Sequence, residues 1–103
     1  MKNTPILTDD EVRACMAAVD TLLHFDDENQ KHTQFDYETR RALLGSSYQK
    51  LSVYSPFTYF TKQEFIMIHD ALDYMIEVNS IFGDDDPEFY TAFEKTAELA
   101  GLS

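Results

Sequence analysis

The chain has 103 residues, a natural size for one domain with one hydrophobic core. Its net charge of −11 disfavours direct binding to nucleic acids or to anionic membranes. Apolar residues make up 44% of the chain, too large a share for a disordered acidic tail. We expect a cytoplasmic protein, because Cys15 is the single cysteine, the N-terminus has no apolar signal segment, and no run of ~20 apolar residues could span a bilayer.

A first helix is predicted over residues 9–24. Thr8 and Glu11 stand three residues apart, in the pattern of a capping box, where each side chain bonds to the backbone amide of the other residue. Apolar residues then recur at spacings of three and four: Val12, Cys15, Met16, Val19, Leu22 and Leu23. Because Cys15 lies on this stripe, we interpret it as a buried structural thiol and not as a nucleophile.

A second helix is predicted over residues 36–51, after a polar connection at 26–34 that has no hydrophobic period. Its expected inward residues are Tyr37, Leu44, Tyr48 and Leu51. Gly45 weakens this helix, since glycine in a helix interior costs ~1 kcal/mol relative to alanine.

Residues 53–60 are rich in aromatic side chains and are predicted to form a loop. Pro56 lacks an amide donor, and an isolated strand would have no partner elsewhere in the chain. We expect Phe57 and Phe60 to plug the end of a helical bundle. Tyr54 and Tyr59 are candidates for contact with a partner, because tyrosine is enriched at protein interfaces.

Two further helices are predicted over residues 62–82 and 87–100. A second capping box, Thr61 with Glu64, begins the third helix, and Gly83 is expected to end it. Asp86 and Pro87 suit the N-cap and first position of the fourth helix, which Gly101 closes. The expected inward residues are Phe65, Ile68, Leu72, Met75, Ile76 and Phe82 in the third helix and Phe89, Phe93, Ala97 and Ala100 in the fourth.

These patterns predict an all-α fold: a small single-domain bundle of four helices, with an aromatic-rich loop between the second and the third. The charge is uneven along it. Residues 84–103 hold six acids against Lys95 alone, whereas residues 26–52 hold five acids against four bases. The number of acids in residues 84–103 exceeds what helix capping needs, and this excess favours a cationic partner.

The main functional hypothesis is a non-catalytic, acidic protein-binding module. Its partner would be a protein with a basic surface, one that ordinarily grips nucleic acid, so that the chain would act as an inhibitor. Small phage-encoded inhibitors of host defence offer an analogy in size and charge. The predicted partner-binding residues are Asp84, Asp85, Asp86, Glu88, Tyr54, Tyr59, Asp73 and Glu77.

Two alternatives belong to other classes of protein. A structural or regulatory homo-oligomer, such as a homodimer, would bring Arg40 and Arg41 of one subunit to an acidic helix of another across a two-fold axis. A metal-dependent enzyme would use His69, Asp73 and Glu77, spaced by four residues on one helix face. A solvated helix face explains those three residues more simply. The run of aspartates at 84–86 lacks the ligand spacing of a calcium loop. We therefore predict no catalytic residue, no metal and no cofactor.

Overall fold

A computed structural model of the chain describes residues 6–25, 35–82 and 86–102, with residues 80–82 described by their backbone alone. Within these residues the chain forms four α-helices and no strand: α1 (Asp9–Phe25), α2 (Tyr37–Ser52), α3 (Lys62–Phe82) and α4 (Pro87–Leu99). The predicted all-α class is confirmed, and the helix ends differ from the predicted ones by at most one residue. The predicted connection at 26–34, the cap at Gly83, and Asp84 and Asp85 lie outside the described residues.

Helices α1 and α3 form the centre of the bundle. Each of them contacts the other three helices, whereas the described parts of α2 and α4 do not contact each other. Helix α2 therefore lies on one side of the central pair and α4 on the opposite side. This arrangement decides which charged side chains share a surface.

The core is built from apolar faces of all four helices. Its fully buried members include Val19, Leu22, Leu44, Leu51, Met67, Ile68 and Leu72. The alanines Ala18, Ala71 and Ala92 are also fully buried, and their small side chains allow neighbouring helices to approach closely. Cys15 is buried as predicted; burial, together with the negative charge of the nearby Glu11, raises the pKa of its thiol to about 12. The thiol is therefore protonated at neutral pH.

Both predicted capping boxes are formed. The Thr8 amide donates to Glu11 Oε1 at 2.8 Å, and the Glu11 amide donates to Thr8 Oγ1 at 3.2 Å. Thr61 and Glu64 repeat this pair of bonds at 2.8 and 3.1 Å. Each box satisfies backbone donors that the first turn of a helix would otherwise leave without a partner.

Gly101 closes α4, as predicted, with a φ of 74°. The Gly101 amide donates to the Glu98 carbonyl, and the Leu102 amide donates to the Ala97 carbonyl at 2.8 Å. These two bonds form a Schellman motif, in which the residue after the C-cap adopts the left-handed conformation that glycine tolerates best.

The buried face of α2 differs from the predicted one. It consists of Arg40, Leu44, Ser47 and Leu51, whereas Tyr48, predicted to point inward, is on the surface. Arg40 is only 2% exposed, and its guanidinium donates to the Phe35 carbonyl at 2.7 Å. Helix α2 therefore buries two polar residues in place of an aromatic ring, an arrangement that hydrophobic periodicity cannot reveal.

Replacing Gly45 with alanine is expected to raise the free energy of unfolding by about 1 kcal/mol. Gly45 lies inside α2, its φ is not positive, and a Cβ placed there would meet no atom within 4 Å. The matched variant Gly101→Ala should lower stability by about 1–2 kcal/mol, because an L-residue is strained at positive φ. Thermal denaturation of both variants measures these changes in stability. Melting temperatures that shift equally and in the same direction would contradict the prediction.

Candidate functional site

The predicted acidic residues within the described range lie on α3 and α4, which pack against each other. Asp73 and Glu77 are exposed on α3; Asp86 is exposed at the start of α4, and Glu88 is half-buried in its first turn. The exposed Glu94 and Glu98, which the sequence did not single out, extend this surface along α4. We call Asp73, Glu77, Asp86, Glu94 and Glu98 the acidic face. Asp86 occupies the N-cap position but makes no side-chain capping bond, so capping does not account for its carboxylate.

Several basic residues are engaged inside the domain and do not neutralise the acidic face. Lys95 lies on α4 itself, yet its Nζ donates to Glu11 Oε1 at 2.6 Å and to the Ile6 carbonyl at 2.9 Å. Lys50 donates to Glu64 Oε1 at 2.6 Å. Arg41 donates to the Leu23 carbonyl, at the end of α1, where a cation also offsets the negative end of the helix dipole.

The two buried glutamates are held in the charged state by these lysines. Burial alone would raise the pKa of Glu11, but hydrogen bonds from Lys95, Thr8 and Thr91 outweigh it and lower that pKa to about 2. Burial likewise opposes ionisation of Glu64. Its bonds from Lys50, Thr61 and Ser46 lower the pKa of this carboxyl overall. Each lysine thus binds the glutamate in the first turn of a neighbouring helix, and that glutamate balances its charge.

The loop between α2 and α3 contains a fixed turn, residues 55–58. The Thr58 amide donates to the Ser55 carbonyl at 3.0 Å, the Ser55 amide donates to Thr58 Oγ1 at 2.9 Å, and the Phe57 amide donates to Ser55 Oγ at 3.2 Å. Pro56 occupies the second position of this β-turn. No described residue other than glycine has positive φ, which fits a type I turn.

This turn places Phe57 on the surface, and the prediction that Phe57 plugs the bundle is wrong. Its side chain is 94% exposed, whereas Phe60 is buried as expected. Tyr59 is 74% exposed. Tyr54 is half-buried, packs against the core, and accepts a bond from the Leu7 amide at 3.2 Å through its hydroxyl. Of the two tyrosines proposed as contacts, Tyr59 is thus the more accessible one.

A local signal could have identified Phe57. Serine at the first position and proline at the second are favoured in type I turns, and the third residue then stands at the tip of the turn. Hydrophobic character alone, in contrast, predicts that this aromatic ring is buried. The predicted partner residues therefore fall on two separate surfaces, the acidic face and this loop.

The residues of the metal-enzyme alternative do not converge. His69 is half-buried; its ring stacks on Phe93 with centroids 4.0 Å apart, and its Nδ1 lies 3.1 Å from the Phe93 carbonyl and 3.2 Å from Thr96 Oγ1. Burial lowers the pKa of His69, although the Phe93 carbonyl and the charge of Asp73 act in the opposite direction. Asp73 and Glu77 are solvent-exposed. The described part of the chain contains no group of three histidine, cysteine or acidic residues placed to hold a metal ion.

Two open depressions lie beside α1. One, of about 280 Å³, is bordered by Asp10 and Arg13 from α1 and by Asp86, Glu88 and Phe89 from α4, and Asp10 pairs with Arg13 at 3.2 Å. The other, of about 290 Å³, lies between α1 and the end of α2, beside Tyr54. Both are shallow and open to solvent, a geometry that suits contact with a macromolecule better than enclosure of a small substrate.

Comparison with protein-family models, with curated proteins and with solved structures finds no match to this chain. Within the described residues, no helix combines the length and apolar character needed to cross a membrane. The surfaces themselves are therefore the basis for assigning a function.

Proposed function

We propose that this chain is a non-catalytic protein-binding module whose acidic face binds a basic surface of a partner protein. The observation that carries the proposal is the orientation of Lys95. It is the single base among residues 84–103, and it is directed to Glu11 and the Ile6 carbonyl. The carboxylates that α4 exposes are therefore not offset by the lysine of their own helix.

The electrostatic consequence is a surface on which negative charge predominates. A net charge of −11 attracts cationic proteins over distances up to the Debye length, about 8 Å at physiological salt, and raises their association rate. Closely spaced carboxylates also match arginine and lysine side chains on a partner through charge-assisted hydrogen bonds. A basic surface that ordinarily holds nucleic acid meets both requirements, and the chain would then inhibit the protein to which it binds.

Binding to a basic partner can be tested with two variants of equal net charge. A partner captured from a cell extract at low salt is purified and titrated with each variant. Glu94→Gln combined with Glu98→Gln should weaken binding about tenfold or more, because both carboxylates lie on the acidic face. Asp20→Asn combined with Glu38→Gln removes two exposed acids from α1 and α2 and should change the affinity less than about threefold.

Three results support the proposal together: a difference between the two variants, a dissociation constant that rises with salt, and displacement of the chain by duplex DNA. Equal losses for the two variants would show that only net charge matters and would refute a localised acidic face. Failure to retain any basic protein at low salt would refute the proposal as a whole.

A further inference from the structure

Beyond the start of α2, where Asp36 and Glu38 are exposed, the side of the domain formed by α2 and the following loop has no acidic residue. Residues 39–63 contain four bases and no aspartate or glutamate, so the rest of the chain carries all of its negative charge. Because α2 and α4 lie on opposite sides of the central helices, this acid-free side faces away from α4. Two of these bases are engaged within the domain: Arg40 is buried and donates to the Phe35 carbonyl, and Lys50 pairs with the buried Glu64.

Large apolar side chains are exposed on this same side. Phe57 and Val53 are 94% and 75% exposed, and Tyr48 and Tyr59 also reach solvent. We call these four residues the apolar surface. The three hydrogen bonds of the turn at residues 55–58 fix the backbone around Phe57, so little conformational entropy would be lost on binding.

The size of the apolar surface suits an interface. An aromatic side chain can bury about 150–250 Å², so Phe57 and Tyr59 together offer roughly 250–420 Å² at their observed exposure. A stable interface needs about 800 Å² from each partner. Val53, Tyr48 and the exposed uncharged residues of α2, namely Ala42, Gln49 and Ser52, can supply much of the remainder.

We propose that the apolar surface is the interface of a homodimer, in which a second copy of this chain packs through the same residues about a two-fold axis. Charge argues for this occupant. Two chains of net charge −11 repel each other, and the side without acids is where they can approach at the lowest electrostatic cost. A basic protein, in contrast, is drawn to the opposite side. The dimer would present two acidic faces outward, and its existence does not depend on the function proposed above.

The dimer is tested by sedimentation of the purified full chain over concentrations from about 1 μM to 1 mM, a range that covers weak and moderate dissociation constants. We expect a dimer that strengthens as salt is raised, because salt screens the repulsion between the two chains. Phe57→Ser should raise the dissociation constant at least about 30-fold, since the ring occurs twice in a two-fold interface.

Phe25→Ser is the matched control, because Phe25 is 65% exposed at the end of α1, beside the start of α2, and thus far from the loop that follows the end of α2. This variant should dimerise like the wild type. Val53→Ser probes the interface at a second exposed position, should Phe57→Ser fail to fold by circular dichroism. A monomer at every concentration, a dimer that Phe57→Ser and Val53→Ser leave intact, or a dimer that weakens with salt would each overturn the proposal. The last result would indicate a contact between opposite charges.

Discussion

Replacing Lys95 with methionine is expected to lower the free energy of unfolding by about 2–4 kcal/mol at neutral pH. Methionine keeps an apolar stem of similar length but removes the ammonium group that lies 2.6 Å from Glu11 Oε1. The Glu11 side chain is only 5% exposed, so its carboxylate would be left buried without its countercharge. The bond from Lys95 to the Ile6 carbonyl, which fastens the segment before α1, is lost as well.

The pH dependence of this variant should differ from that of the wild type. The pKa of Glu11 is lowered from 4.5 to about 2 in the folded chain, which corresponds to about 3 kcal/mol of stability. Because the folded pKa lies below the unfolded one, this stability is fully present above pH 4.5 and is lost as the pH falls toward 2. In Lys95→Met the pKa of Glu11 should rise, so that less stability remains to be lost between neutral pH and pH 3.

Urea denaturation at pH 7 and pH 3 measures both effects. Lys62→Met makes the same change in net charge at an exposed residue of α3 and should alter stability by less than about 0.5 kcal/mol. If Lys95→Met were as stable as Lys62→Met at pH 7, the bonds from Thr8 and Thr91 would suffice to hold Glu11, and the ion pair would contribute nothing.

The two buried ion pairs show where sequence reasoning succeeds and where it stops. Both capping boxes could be predicted, because Thr8 and Glu11, or Thr61 and Glu64, interact over three residues and leave a local pattern. The lysines that reach these glutamates come from 84 and 14 residues away along the chain. That pairing depends on how the helices pack, and no periodicity encodes it.

The same limit applies to the candidate surfaces. The acidic residues of α4 could be predicted from composition, but the direction of Lys95, which decides whether they are neutralised, could not. The inward placement of Arg40 and the outward placement of Tyr48 on α2 reverse what hydrophobicity predicts. Inside the domain the Arg40 guanidinium has the Phe35 carbonyl as a hydrogen-bond partner. For Phe57, hydrophobicity predicts burial, whereas the preference of Ser55 and Pro56 for a type I turn predicts a position at the tip of the turn. The ring is exposed, as the turn predicts.

Replacing Leu72 with alanine is expected to lower the free energy of unfolding by about 2–5 kcal/mol. Leu72 is fully buried on α3, one of the two central helices, which contacts all three others. Truncation there removes apolar contacts and leaves a cavity, because helices that already approach closely through Ala18 and Ala71 can collapse only in part. For a domain of this size, whose total stability is about 5–15 kcal/mol, the variant should unfold at least roughly 8 °C below the wild type.

Ile66→Ala on the same helix is the matched control. It also removes an apolar side chain from α3 and introduces alanine, so a difference in stability between the two variants reports the packing of Leu72 in the core. Ile66 is half-buried and does not belong to the apolar cluster around Leu72. Alanine there improves helix propensity and should cost less than about 1 kcal/mol. Comparable losses of stability for the two variants would mean that α3 does not form the centre of the core. The division of the domain into an acidic face and an acid-free side would then fail as well, because it depends on α1 and α3 separating α2 from α4.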